Sequence, residues 1–253
     1  MELNTNTKIP SGTGPIDFLL DGGYERDSVT CIYGPPGCGK TNLALLCMVN
    51  SVLANNKKVV YIDTEGNFSI ARFMQICPQA KDVMDHIIFL RPIDFDEQAK
   101  AVEKLRTIAD EKKIGLIVLD SAAMLYRLEL GKGRDVYEVN RAFGVQLSYL
   151  TEIARRKQIS VIITNQIYAD FDDQNNVKIV GGDLIRYSSK CLIEIKKLSS
   201  GNRVAILRKH RSLPEDKKVG FRIVETGIEE FELKDDNSRK IETDLLFKTA
   251  YDE

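Results

Sequence analysis

The sequence predicts an α/β domain: a mostly parallel central sheet, helices on both of its faces, and an antiparallel extension at the C-terminal end. Three observations predict it. Short apolar runs alternate with amphipathic stretches through most of the chain. One of those runs feeds directly into the segment GPPGCGKT, residues 34–41. The last runs, 191–197, 203–207 and 220–224, follow one another without intervening helices, as an antiparallel meander does.

Taken in order, residues 1–15 are polar and rich in Gly, Pro, Ser and Thr, which predicts a loop leading in. IDFLL (16–20), followed by Asp21, Gly22 and Gly23, predicts a short helix stopped by glycines. VTCIY (29–33) reads as a buried strand. Residues 42–53, with Leu43, Leu46, Cys47 and Val49 apolar, read as the helix after it. KVVYID (58–63) is a second strand, ending in Thr64, Glu65 and Gly66. A helix over 68–77 stops at Pro78, and IIFL (87–90) is a third strand. Asp94 caps an amphipathic helix to residue 112, with Ala101, Leu105, Ile108 and Ala109 on one side. LIVL (116–119) is a fourth strand that runs straight into Asp120. A glycine-bearing basic loop is expected at 127–134. The helix expected at 135–156 places Val136, Val139, Phe143, Leu147 and Leu150 along one stripe. SVIIT (160–164) is a fifth strand ending at Asn165 and Gln166, and 169–182 is a polar loop made acidic by Asp170, Asp172 and Asp173.

At 253 residues, 43% hydrophobic and 29% charged, the chain can bury one large core. The expected division is a lead-in at 1–15, one α/β core at 16–233 and a short acidic extension at 234–253. No apolar run is long enough to span a bilayer, and the polar start MELNTNTK is no signal peptide. Five cysteines without C-x-x-C spacing, beside two histidines, argue against a structural zinc and fit a reducing cytoplasm. The net charge of −1 argues against a wholesale basic nucleic-acid binder, but the charge is uneven. Residues 186–222 hold eleven Lys and Arg against three acids, whereas 223–253 hold ten acids against four bases. A basic face beside an acidic tail accounts for this, and so does an ordinary solvated surface.

GPPGCGKT carries the chemistry. It fits G-x-x-x-x-G-K-[S/T], in its required strand, loop, helix context. Gly34, Gly37 and Gly39, with Pro35, Pro36 and Cys38 between them, let backbone N–H groups turn around a phosphate. The helix behind Gly39 adds its own N–H groups and dipole, and Asn42 lies in its first turn. Lys40 reaches the β/γ-phosphates, and the Thr41 hydroxyl ligates Mg²⁺. Asp120, at the end of an apolar strand, is the natural second metal residue, although that pattern alone is common. The residue after it is Ser121, where many such ATPases have a catalytic glutamate. A water-activating base must come from elsewhere, and Glu65 at a neighbouring strand's carboxyl end is best placed, unless it is simply a loop acid. Gln166, at another such end, either senses the γ-phosphate or is a plain surface glutamine. Cys38 is a small filler, or a thiol whose pKa the nearby helix N–H groups lower.

Together GPPGCGKT, YIDTEG (61–66), LIVLDS (116–121) and TNQ (164–166) resemble the RecA-type recombinase ATPases. GGDLIRYSS (181–189) and SLPE…GFRIVETGIEE (212–230) resemble the archaeal RadA and eukaryotic strand-exchange branch. The likeness covers about residues 8–231, and it implies a RecA-like P-loop NTPase fold that binds ATP and Mg²⁺. It assigns Lys40 and Thr41 to phosphate and metal, Asp120 to metal, Glu65 to water activation, and Gln166 to coupling nucleotide with DNA loops. Arg72 falls where relatives stack an arginine on adenine; a salt-bridging helix arginine is the alternative. DNA contacts in the family come from two loops, matching 127–134 and 169–182 here. The first supplies Arg127, Lys132 and Arg134 for DNA phosphates. The second has three aspartates and only Lys178, so it is expected to repel a DNA backbone.

Two departures sharpen the likeness. RadA proteins carry an N-terminal helix-hairpin-helix domain and a Phe-x-x-Ala hook, neither of which is found ahead of the core. They also have an aspartate-bearing cap where Lys209, His210 and Arg211 stand here; the Lys209 ammonium could replace a bound cation there, or the surface could serve DNA or a partner. A bare core of this kind most resembles RadB, the family of archaeal recombinase paralogues. The expectation is an ATP-binding DNA repair and homologous-recombination accessory protein. It binds single-stranded DNA, modulates a recombinase or other recombination protein, hydrolyses ATP weakly, and forms a homo-oligomer if neighbours complete the site. No membrane partner is expected. The competing readings are a KaiC-like, ATP-dependent protein-assembly regulator without DNA binding, and a scaffold whose nucleotide only stabilises it.

Overall fold

The computed structural model describes residues 7–111, 113–169 and 177–233. The N-terminal part holds β1 (Lys8–Ile9), α1 (Gly14–Leu19), β2 (Tyr24–Glu25), β3 (Val29–Gly34), α2 (Lys40–Asn55) and β4 (Lys58–Asp63). Then come α3 (Ile70–Ile76), α4 (Ala80–Met84), β5 (Ile87–Leu90), α5 (Phe95–Glu111), β6 (Ile114–Asp120) and α6 (Met124–Leu130). The long helix α7 (Val136–Lys157) leads to β7 (Ser160–Ala169), β8 (Val177–Ile179) and α8 (Gly182–Ser188). The chain closes with β9 (Cys191–Lys197), β10 (Arg203–Lys209), β11 (Lys218–Val224) and β12 (Gly227–Phe231).

The main sheet runs β12-β11-β10-β9-β3-β7-β6-β4-β5, with β8 paired to β7. From β9 to β5 the neighbours are parallel, and from β9 outward to β12 they are antiparallel. This is the predicted architecture. The parallel strands are apolar on both sides because each face has its own core. On one face Ile32, Tyr61, Val118 and Ile193 pack with Leu43, Ala44 and Cys47 of α2. On the other Cys31, Ile62, Leu119 and Ile163 pack with Leu105 of α5 and Phe143 and Leu147 of α7. The strand after β3 is reached only by crossing over β7 and β6. The carboxyl ends of β3, β4, β6 and β7 therefore gather at one edge, where open α/β sheets hold their ligands.

Several local expectations are corrected. Residues 8–15 are not a bare loop: Lys8 and Ile9 pair with Glu25 and Tyr24, and Ile9 is buried. The basic loop expected from Arg127 begins instead as helix α6. Its Leu125 and Tyr126 are buried, and the Tyr126 ring stacks on Phe143 at 4.4 Å between centroids. Apolar contact with α7 thus overrides the turn signal of Gly131 and Gly133. The segment after the acidic loop forms α8, anchored by buried Ile185. Val136 is exposed although its spacing aligns it with the buried stripe of Val139, Phe143, Leu147 and Leu150, because it is the first residue of α7. The expected extension at 234–253 and the aspartates Asp170, Asp172 and Asp173 lie outside the described residues.

Candidate functional site

The phosphate loop leaves β3 and enters α2. Gly37 and Gly39 have φ of 66° and 109°, backbone conformations that L side chains rarely adopt. A Cβ at Gly34 would lie 2.4 Å from the Ile195 carbonyl oxygen, and one at Gly39 2.9 Å from Ile223 Cδ1. The loop therefore rests tightly on β9 and β11, with glycine required at both contacts. Gly39 caps α2 with no side-chain acceptor and no acid in the first turn. The first N–H groups of a 16-residue helix are left for an anion. Lys40 Nζ donates to the carbonyls of Gly34 and Pro35, each at 2.9 Å, so its ammonium lies across the loop. The residues present fit a polyphosphate.

Asp120 is the hub of the metal side. Its Oδ2 accepts from Thr41 Oγ1 at 2.8 Å and from the Tyr61 hydroxyl at 2.7 Å, and its Oδ1 accepts from Thr164 Oγ1. Burial pushes its carboxyl above the ordinary 3.8, against the pull of those three hydroxyls. Among the described residues no group of three or more His, Cys, Asp or Glu gathers to cage a metal. One buried carboxylate beside one hydroxyl suits Mg²⁺, a hard cation that keeps waters and takes phosphate oxygens as further ligands. Sequence reasoning missed Tyr61 and Thr164. Their only signal is a polar atom on an otherwise apolar strand.

Glu65 lies beside this hub. Its Oε1 accepts from Ser121 Oγ at 2.6 Å and from Gln166 Nε2 at 3.0 Å, and its Oε2 accepts from Asn67 Nδ2 at 2.7 Å. The loop that carries it is built by the neighbouring residues. Asp63 Oδ1 accepts the N–H groups of Gly66 and Asn67, and Thr64 exchanges two hydrogen bonds with the Ser121 backbone at 2.8 and 2.9 Å. The ends of β4 and β6 are laced together, and the Asp120–Ser121 peptide is cis. Glu65 and Gln166, predicted separately, are thus in direct contact. Gln166 also leads away from the nucleotide side: its carbonyl accepts from Val180 N, and Asn165 Nδ2 donates to Val180 O. A cavity of about 250 Å³ opens here, lined among others by Glu65, Asn67, Met124, Arg127 and Gln166.

Other predicted residues are placed differently. Arg72 donates to Asn42 Oδ1 at 2.7 Å, to Gln75 Oε1, and to the carbonyls of Val224, Glu225 and Gly227. Its guanidinium ties α3 to the first turn of α2 and to the β11–β12 turn. Of the basic trio, Arg127 borders the cavity, whereas Lys132 pairs with Glu129 at 3.1 Å and Arg134 with Asp96 and Glu129. Cys38 is fully buried, and burial pushes its thiol up, outweighing the lowering by Lys40 and the loop N–H groups. The alternative of an activated thiol is thereby corrected. Lys209 donates to the carbonyls of Arg186 and Ser189 at 2.6 and 2.8 Å, capping the end of α8. Arg211 is held by Glu25 and by both Asp27 oxygens.

Comparison with known proteins bears out the fold. The family profile described as Rad51 matches residues 4–231. The DNA repair and recombination protein RadB of Methanobrevibacter smithii is 44% identical over 232 residues, covering 88% of this chain and 96% of that one. RadB of Methanothermobacter thermautotrophicus is 40% identical over 235 residues, covering 90% and 97%. A structure titled "Crystal structure of the RadB recombinase" superposes with a TM-score of 0.75 at 34% identity, over 88% of this chain and all of that one. Having the RecA-like fold, the phosphate loop and the sequence match in common, the chain belongs to the Rad51 family, among relatives named RadB.

Proposed function

We propose that this chain binds ATP with Mg²⁺, binds single-stranded DNA, and acts as an accessory that modulates a recombinase or another recombination protein. Lys40 and the loop N–H groups bind the phosphates, and Thr41 with Asp120 holds the metal. When bound, Mg²⁺ neutralises phosphate charge and orients the reacting phosphoryl group. Glu65 takes up a proton from water at a carboxylate oxygen, while Ser121 and Gln166 orient it. Hydrolysis is slow, because three donors already hold the Glu65 carboxylate and weaken it as a base, leaving one acceptor position on Oε2 for a water.

The observation that carries the DNA side is the Glu65–Gln166 contact at the wall of the cavity that Arg127 shares. A nucleotide-dependent shift of Glu65 would reach β7 and the segment beyond it through Gln166. Arg127, Lys132 and Arg134 supply phosphate contacts, the last two by exchanging weak surface pairs. The test is single-stranded DNA binding across a salt series, with gel-filtration mass measured alongside because a homo-oligomer is part of the reading. Affinity that falls steeply with salt supports it. The pairing of Lys132 and Arg134 with acids favours a second reading, a KaiC-like assembly regulator. That reading predicts no measurable DNA affinity and an ATP-dependent change in mass.

A further inference from the structure

We propose that Lys197, at the end of β9, is a second lysine of the phosphate loop and adds to the binding of the nucleotide polyphosphate. This deepens the ATP-binding reading and rests on it. The Lys197 ammonium sits at the tip of the loop: a Cβ built on Gly37 would be 3.2 Å from its Nζ, the nearest atom to that position. Its charge is felt inside the loop, where it opposes the burial that raises the Cys38 thiol, after the larger effect of Lys40. Glycine at position 37 leaves this approach open.

The charge of Lys197 is also uncompensated. Its neighbour Lys196 pairs with Glu194 at 3.6 Å, whereas Lys197 has no acidic partner within ion-pair distance among the described residues. Directly across the strand pair stands Arg203, in register and on the same face. Arg203 donates from Nη1 to the Gly201 carbonyl, but its Nε is buried without a hydrogen-bond partner. Like charges placed opposite each other on antiparallel strands destabilise the pair. Lys197 beside the phosphate loop, with Arg203 opposite it in register, leaves positive charge that a bound anion would offset. The anion that the adjacent loop is built for is a polyphosphate.

The test is equilibrium binding of a fluorescent ATP analogue with Mg²⁺ to the wild-type chain, Lys197→Ala, Lys197→Arg and Lys196→Ala. Lys197→Ala is expected to weaken nucleotide binding about tenfold at low salt, with the loss shrinking as salt rises. Lys197→Arg should stay within about threefold of wild type, and Lys196→Ala, whose charge is already paired, within about twofold. Unfolding midpoints of the two Lys197 variants without nucleotide should stay within about 2 °C of wild type, because the Lys197 side chain is exposed. Equal affinity of Lys197→Ala and wild type at every salt concentration would overturn the proposal. So would an unchanged nucleotide affinity with weakened single-stranded DNA binding, which assigns the cation to a nucleic-acid backbone. A wild-type chain that binds no nucleotide would instead overturn the ATP-binding reading itself.

Discussion

The nucleotide edge and the α6 side of the cavity meet at Glu65 and Gln166, yet they are built in opposite ways. At the nucleotide edge polar atoms are buried and committed: Asp120 accepts from three hydroxyls on three different elements, and Lys40 is closed onto its own loop. Across the cavity, Arg127 is exposed, and Lys132 and Arg134 sit in surface pairs. Buried networks lose much when one member goes, because the partner groups are left unsatisfied. Exposed pairs lose little and exchange partners easily. The difference teaches where function can be read from geometry. On the proposed reading, the nucleotide edge is preorganised for one ligand, and the α6 side would exchange its surface pairs for contacts with a polyanion.

The largest effect is expected from Lys40→Ala. Removing the ammonium that lies across the loop should cut ATP affinity by at least about a hundredfold; isothermal titration reporting unchanged affinity would break the contrast at its strong end. Glu65→Gln comes next. Phosphate-release assays should show turnover reduced about a hundredfold, with nucleotide affinity close to wild type. A matching loss of affinity would mean that Glu65 shapes the pocket instead of activating water.

On the α6 side, Arg127→Ala combined with Lys132→Ala should weaken single-stranded DNA binding about tenfold and lower the salt slope by about 1.4. The unfolding temperature should move by no more than about 2 °C, because neither residue supports the core. An unaltered salt slope would remove these residues from the DNA surface.

The smallest effect concerns pH. Burial raises the Asp120 carboxyl above its ordinary 3.8, so the apo fold favours the protonated acid. Its contribution is fully present below the ordinary value and is lost as pH rises through the raised one. The stability of Asp120→Asn relative to wild type should therefore shift in the variant's favour as pH rises from 4 to 7 without Mg²⁺. Urea midpoints that run parallel across that range would contradict the burial argument.

Much of this was legible in the sequence, for identifiable reasons. The strands β3, β4, β6 and β7 are continuous apolar runs, and the loop between β3 and α2 is a local pattern with a fixed spacing. Glu65, Asp120 and Gln166 stood out because a polar residue ends each run. The contact between Glu65 and Gln166 was not legible, since it joins residues 101 positions apart. The same holds for Tyr61 and Thr164, which meet Asp120 across 59 and 44 positions. Helix α6 was hidden because its glycine-flanked sequence reads as a loop until Phe143 is there for Tyr126 to stack on. Arg72 shows the limit from the other side: its helix was predicted, but not the β11–β12 turn that it grips.

The most direct test of the central claim is the dissociation constant of a fluorescent single-stranded oligonucleotide, with and without ATP and Mg²⁺, for the wild-type chain and Gln166→Ala. If Glu65 and Gln166 link the nucleotide edge to the DNA side, ATP should change the wild-type constant by at least about threefold, a shift of roughly 0.7 kcal/mol. The same ATP should leave Gln166→Ala unmoved while still binding to it. A wild-type DNA affinity indifferent to ATP, in a chain that demonstrably binds both ligands, would contradict the account.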